Sequence, residues 1–492
     1  MYFWQNIMTD NNYFPFQLNH QQSKIFEELK EFSNNQENVF ILKGYAGTGK
    51  TTLMSGFIKY LKKNKQNFKL LSSTGRAAKI LSDKTNMSAS TIHSEIYTFN
   101  GLSEDLEEMH TKQVNKIEDS GQISLVFSLT NAKSEKKILY IIDEASMISD
   151  KKSPGTSFAR FGDGDLLSDL LKYDKKGKFL FLGDPCQLPP INQKSSPALS
   201  ATHITTKHKK AVKEFELTQI MRQEEGNGIL KAATIIRKYY ELMPSINWPK
   251  LPLRNKDNIS IVQSQAELII NYVNTIKKQG KEYATFLCRT NKQCRDINNI
   301  IRTMLFSDTS HINIGELLLV TQNSQLVDLV NGDLIEIEKI GKEEYRCGLN
   351  FINVQVKELA SKKSYSLLLI KDILTSSVTN ISEKQHKDLM IDYYLRMKKK
   401  GIHYKDKKFK DLMKSDAYLN AIRAVYGYSL TCHKSQGGEW EEVYLYLHKS
   451  MYYTLKNPGL YQGDPKGLYQ WWYTSITRAK KTLFVNDDWF IC

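Results

Sequence analysis

The stretch Gly44-Tyr45-Ala46-Gly47-Thr48-Gly49-Lys50-Thr51 follows an apolar run, Val39-Phe40-Ile41-Leu42, and precedes a helical pattern that starts near Thr52. Glycines at these positions let consecutive backbone N–H groups curl around a polyphosphate. Lys50 supplies charge at the β- and γ-phosphates, and the Thr51 hydroxyl can ligate Mg²⁺. Gly44, Ala46, Gly47, Thr48, Gly49, Lys50, Thr51 and Thr52 therefore form the expected ATP-binding set. From average glycine usage, a chance match of this pattern arises in roughly 2 of 100 chains this long, so a Gly-rich turn without function is disfavoured.

A chain of 492 residues is too long for one ordinary core, so two or more domains are expected. No apolar run approaches the ~18 residues of a membrane span, and no membrane partner is expected. Met1 to Met8 is aromatic but has no basic region followed by an apolar core and cleavage site, which predicts a cytoplasmic protein. The six cysteines are scattered without Cys-x-x-Cys spacing, pointing to reduced thiols rather than a structural metal. A formal charge of +16 favours a polyanionic partner while also giving solubility.

Upstream of the loop, Ile25, Phe26 and Leu29 recur at helical spacing behind Gln22, whose amide can both donate to and accept from an adenine edge. Downstream, Phe68 to Ser73 reads as a strand ending in Thr74-Gly75-Arg76-Ala77-Ala78. Ser90-Thr91-Ile92-His93 follows. Strand, polar turn and helix recur as in a parallel α/β sheet, which binds ligands at the carboxyl ends of its strands. Taken alone, Thr74 and His93 read as cap and turn residues. The pattern loosens from Tyr97 to Lys137, an insertion containing the run Leu125-Val126-Phe127. It resumes with Ile138-Leu139-Tyr140-Ile141-Ile142-Asp143-Glu144: Asp143 would hold Mg²⁺, and Glu144 would deprotonate the attacking water. Ser149 to Asp165 has the composition of a surface loop. Another strand, Lys178 to Leu182, ends in Gly183-Asp184-Pro185-Cys186-Gln187, and Gln187 is placed to contact both γ-phosphate and a second ligand. Arg222 closes a short apolar segment, where a lone arginine is ordinarily a surface ion pair.

Pro244, Pro249 and Pro252 mark a linker near 243–255. A second α/β unit then begins, gives way to β-type alternation from Gly315 to Arg423 with Asn331-Gly332 as a turn signal, and returns at Gly427. Within the excursion, Glu383 to Asp416 is Lys-rich with interspersed Tyr and Phe. It reads as a solvated amphipathic helix pair in preference to a dedicated nucleic-acid surface.

Eight ordered motifs, GYAGTGKTT, STGRAA, STIH, IIDEAS, GDPCQLPP, LTQIMRQ, TCHKSQGGE and YTSITRAK, resemble those of superfamily 1 DNA helicases of the RecD/Dda-like, 5′-to-3′ (superfamily 1B) branch. The likeness runs from Gln22 to Arg478. It implies an α/β fold of two RecA-like P-loop NTPase lobes, with a small pin insertion in the first and an SH3-like β-rich insertion in the second. The implied bounds are 1–245 for the first lobe with its insertion at 97–137, 246–314 and 423–492 for the second, and 315–422 for the inserted subdomain. The resemblance implies ATP and Mg²⁺ as cofactors, with single-stranded and forked duplex DNA as partners, replication or repair proteins as further ones, and a monomer. Carried over by position, Gln22 would read adenine, Arg222 and Arg478 would be arginine fingers, and Gln187 would couple γ-phosphate to DNA. Thr74, Arg76, His93, Thr431, His433 and Ser435 would face the strand, and Glu439 would reach the ribose. Phe127 is the pin candidate, with an equal alternative that it packs the insertion's own small core. A translocase that displaces bound proteins with little unwinding is the alternative function. A DNA-binding protein with a vestigial ATP site is disfavoured because the hydrolytic residues are all present.

Overall fold

The structure is a computed structural model that describes residues 13–103, 106, 111, 124–132, 136–152, 159–162, 165–220, 227–242, 250–376, 378–448, 451, 465–488 and 491–492. In chain order the first half contains α1 (His20–Asn34), β1 (Val39–Gly44), α2 (Lys50–Lys63), β2 (Phe68–Ser72), α3 (Gly75–Thr85), β3 (Ala89–Thr91), α4 (Ile92–Ile96), β4 (Tyr97–Leu102) and β5 (Leu125–Leu129). It continues with β6 (Leu139–Asp143), β7 (Ala159–Phe161), α5 (Leu166–Tyr173), β8 (Lys178–Gly183), α6 (Ala201–His208), β9 (Val212–Leu217) and α7 (Gly228–Leu242). Six of these strands form a parallel sheet in the order β3-β2-β6-β8-β1-β9. Helices cover both faces, which is why β6 and β8 read as unbroken apolar runs instead of alternating. Phe26, Leu29 and Phe32 of α1 and Leu53, Phe57 and Leu61 of α2 fill one face. Ile92, Ile96, Leu167, Leu170 and Ile204 fill the other. Each such side chain, buried whole, contributes about 1.5–3 kcal/mol. Neighbouring β6, β8 and β1 end side by side, so the acidic pair, the Gly-Asp-Pro loop and the phosphate loop leave one edge of the sheet together.

The second half contains β10 (Ile259–Val262), α8 (Gln265–Gln279), β11 (Ala284–Cys288), α9 (Asn291–Leu305), β12 (Leu317–Val320), β13 (Leu334–Arg346), β14 (Leu349–Glu358), β15 (Ser364–Ile370) and α10 (Asp372–Thr375). After these come α11 (Glu383–Lys399), α12 (Lys407–Ser415), β16 (Ala424–Tyr426), β17 (Ser429–Thr431), α13 (Cys432–Ser435), β18 (Trp440–Leu445), α14 (Pro465–Ile476) and β19 (Ala479–Asn486). A second parallel sheet, β10-β19-β18-β11-β17, makes a second α/β lobe. An antiparallel sheet, β15-β14-β13-β12-β16, interrupts it where the sequence turns to β-type alternation. The Lys-rich segment forms the two helices α11 and α12.

The lobe boundary at 245/246 places α7 in the first lobe, and its Ile229, Ala232, Ala233 and Ile236 share a core cluster both with Tyr45, Cys186 and Leu188 of that lobe and with Leu468, Tyr469 and Trp472 of α14, so α7 lies where the two lobes pack. The 149–165 segment is not wholly loop, because β7 pairs with β5. Leu125–Leu129 forms the middle strand of the sheet β4-β5-β7.

Candidate active site

Between the lobes lies a cavity of about 910 Å³ walled by Gln22, Ala46, Gly47, Gly49, Lys50, Thr51, Thr52, Asp143, Glu144, Gln187, Glu439 and Arg478. The loop after β1 turns through Gly47 (φ 77°) and Gly49 (φ 85°), conformations that a side chain would strain. Lys50 Nζ donates to the carbonyl oxygens of Gly44 and Tyr45, bracing the loop. Thr51 is exposed in the first turn of α2, where unpaired N–H groups and the helix dipole favour an anion. Buried Gln22 serves the same loop: its Nε2 donates to Thr48 O at 3.3 Å, while its Oε1 accepts from Asn19 N at 3.3 Å in the capping box of α1.

The acids stand opposite. Glu144 occupies the left-handed region (φ 52°), costing about 1–3 kcal/mol for a non-glycine, and its N–H donates to Asp143 Oδ1 at 2.9 Å. Burial and then repulsion from Asp143 raise the Glu144 carboxyl to about 7, with Arg478 and Lys50 opposing the shift. Burial also raises Asp143. Arg478 is 5% exposed and held by its own lobe, through Nε to Thr474 O at 3.1 Å and an Nη to Gly438 O at 3.2 Å. Gln187 is buried, and its Oε1 has no hydrogen-bond partner among the described residues.

Two residues that the motifs did not single out belong to this site. Asp184, directly after β8, lines the cavity as a third carboxylate, buried where Asp143 and Glu144 are half-buried, and burial raises it too. Its signal in the sequence was an acid closing a buried strand, as Asp143 does. Tyr473 of α14 donates its hydroxyl hydrogen to Asp184 Oδ2 at 2.8 Å.

Of the residues expected to face a strand, Thr74 caps α3 by accepting from Ala77 N at 3.2 Å. His93 is half-buried against Tyr97 and Phe161, and burial lowers its pKa. His433 is exposed at the edge of the second lobe, whereas Thr431 is buried. Two assignments are corrected. Ser435 is fully buried and donates to Cys432 O at 2.8 Å, so its hydroxyl is spent inside the fold. The guanidinium of Arg76 lies 4.7 Å from the Trp440 ring and donates to Gly332 O at 3.2 Å, joining the lobes instead of facing outward. Phe127 is half-buried, stacked on Phe161 at 4.7 Å and edge-on to Phe99 at 5.5 Å, and it packs against the first lobe's core cluster. Arg222 lies outside the described residues.

The donor set fits a magnesium nucleotide. Thr51 and Asp143 offer hard oxygen ligands, the glycine loop and Lys50 suit polyphosphate, and the unpaired Gln187 Oε1 can accept from a bound ligand.

The family model described as an AAA domain matches residues 17–239, and that of the UvrD-like helicase C-terminal domain matches 426–485. An uncharacterized protein of Acanthamoeba polyphaga mimivirus is 24% identical, over 87% of this chain and 93% of its own. Another, from Methanocaldococcus jannaschii, is 23% identical over 97% of this chain, which spans 38% of that protein. Among solved structures, the Pif1 helicase from Bacteroides in complex with ADP-AlF3 and ssDNA gives a TM-score of 0.47 at 15% identity, covering 96% of this chain and 93% of that one. The Pif1 helicase from Candida albicans gives 0.39 at 14%, covering 96% of each.

Proposed function

We propose that the chain is a superfamily 1 DNA helicase of the RecD/Dda-like branch, which moves 5′-to-3′ along single-stranded DNA and unwinds duplex at the expense of Mg-ATP; the two matching family models support this reading. The observation that carries this reading is the cleft itself. It gathers Lys50, Thr51, Asp143, Glu144 and Gln187 from one lobe and Arg478 from the other around a single cavity. Lys50 would trade its carbonyl partners for β- and γ-phosphate oxygens. Thr51 and Asp143 would hold Mg²⁺, which neutralises phosphate charge when bound. Glu144, ionised, would take the proton of the attacking water, while Arg478 stabilises charge building on the transferred group. Gln22 would read adenine with the amide hydrogen its present bonds leave free, and Glu439 would reach the ribose. Arg222 would supply a second finger.

Because Arg478 belongs to the second lobe, ATP in the cleft draws the lobes together, and hydrolysis removes the bond that held them. Gln187, on the loop beside the phosphate site, would report a bound strand to the γ-phosphate, so turnover is expected to depend on single-stranded DNA. Thr74, His93, Thr431 and exposed His433 are the contacts expected along that strand.

The test is unwinding of matched duplexes carrying a 5′ or a 3′ single-stranded tail, alongside ATP turnover with and without oligothymidine. Unwinding from the 5′ tail only, with DNA-stimulated turnover, is expected. Efficient unwinding only from the 3′ tail would overturn the polarity, and stimulated turnover with little unwinding from either tail would favour the protein-displacing translocase.

A further inference from the structure

The hydroxyl of Tyr473 lies where the two lobes meet, and it is bonded on both sides. Besides donating to Asp184 Oδ2 at 2.8 Å, it accepts from the phosphate-loop N–H of Ala46, also at 2.8 Å. A phenol has one hydrogen to give and lone pairs to receive with, so both bonds are made at once. The residue is 2% exposed, which leaves no water to replace either partner. Asp184 in turn accepts from Cys186 N at 2.9 Å, and burial, opposed by contacts that include the Tyr473 bond, holds its carboxyl above the ordinary range.

The same helix grips the rest of that loop. Thr474 Oγ1 accepts from Leu188 N at 2.9 Å, and Gln470 Nε2 donates to Gln187 O at 3.2 Å. Gln470, Tyr473 and Thr474 share one helical face by their spacing. Just past the end of that helix, the chain carries Arg478 into the cleft. The loop that bears Gln187 is therefore fastened to the element that leads to the arginine finger, and one hydroxyl fastens both to the phosphate loop.

We propose that Tyr473 is a positioning residue of the ATPase, coupling the Gln187 loop to the phosphate loop and to Arg478 so that a strand held across the lobes is sensed at the hydrolytic centre. This rests on the DNA-stimulated turnover proposed above. Tyr473→Phe keeps the ring and removes the link.

The experiment measures ATP turnover, with and without oligothymidine, for the wild type, Tyr473→Phe, Asp184→Asn and the double variant. The stimulation factor should fall about ten- to a hundredfold in Tyr473→Phe, the scale of a small misplacement of reacting groups, with KM for ATP within about threefold. The double variant should be within about twofold of the worse single one, since the two residues act through one bond. Stimulation within about twofold of wild type in Tyr473→Phe, or losses that multiply in the double variant, would overturn the coupling. Loss of soluble protein on removing this hydroxyl would assign its bonds to folding and overturn it equally. A wild type that hydrolyses ATP equally with and without DNA defeats instead the functional reading on which the inference rests.

Discussion

Glu144 shows how much of the chemistry resides in single residues. Its left-handed backbone and its place beside two other carboxylates, Asp143 and Asp184, are a cost to the fold, opposed by Lys50 and Arg478. A general base works only when ionised, and this carboxyl is raised to about 7, so kcat/KM should climb with pH through about 7 and level off above it. Between about pH 8 and pH 6 the ionised fraction falls about tenfold. Glu144→Gln should bind ATP, lose on the order of 10² or more in kcat, and lose that acidic limb. Turnover near the wild-type rate in this variant would remove Glu144 from the mechanism. Lys50, Asp143, Glu144 and Arg478 were legible in the sequence because each motif's chemistry is written in adjacent residues. Asp184 and Tyr473 were not, because their link spans 289 positions and exists only once the lobes have met. Ser435 was misread for the related reason that burial is invisible in a motif.

Elements were legible where their signal is local. Continuous apolar runs closed by Gly or Asp gave β1, β6 and β8, whereas the allegiance of α7 depends on which lobe its apolar stripe meets. The N-terminus of α3 is a similar case. The resemblance offers Arg76 to a strand, but the 328–333 loop of the inserted subdomain docks against this turn, so closely that a Cβ on Gly75 would lie 2.5 Å from that of Val330. Lys79 on the same helix donates to Asp333 Oδ2 at 2.7 Å, Glu358 Oε1 at 3.1 Å and Asp328 O at 2.7 Å. The Asp333 and Glu358 side chains are 4% and 2% exposed, and burial raises Asp333 even with the lysine beside it. Lys79→Met removes the cation bonded to both acids while Arg76 stays nearby, and should cost less than the ~3–5 kcal/mol of an uncompensated buried charge. Amide exchange should quicken in β13 and the 328–333 loop, and Asp333→Asn with Glu358→Gln added should restore part of the loss. Unchanged exchange in Lys79→Met would mean that the cluster does not hold the subdomain in place.

At the scale of the whole molecule, the Lys-rich excursion is the part whose composition said least about its position. Amphipathic helices were legible from its spacing, but the surface that covers their apolar face was not. Met390, Tyr393, Tyr394 and Met397 of α11 join Phe409 and Met413 of α12 and Leu106, with Phe99, Leu102 and Leu125 of the first lobe's insertion packed against them. Lys410 Nζ adds a bond to Asn100 O at 2.8 Å, and Tyr393 donates to Phe409 O at 2.7 Å. The insertions of the two lobes therefore touch through a cluster separate from either main core and from the residues lining the ATP cleft. A lobe movement driven at the cleft must carry this contact with it or break it. Phe409→Ala opens a cavity in the cluster, worth about 3–5 kcal/mol if the site does not collapse, while leaving every cleft residue in place. DNA-stimulated ATP turnover should stay within about twofold of wild type, because the hydrolytic groups are held by other elements. Duplex unwinding should slow severalfold, because force between the insertions passes through a loosened contact. Parallel loss of turnover and unwinding would show that the cluster serves the fold as a whole, and unchanged unwinding would show that the two insertions move independently.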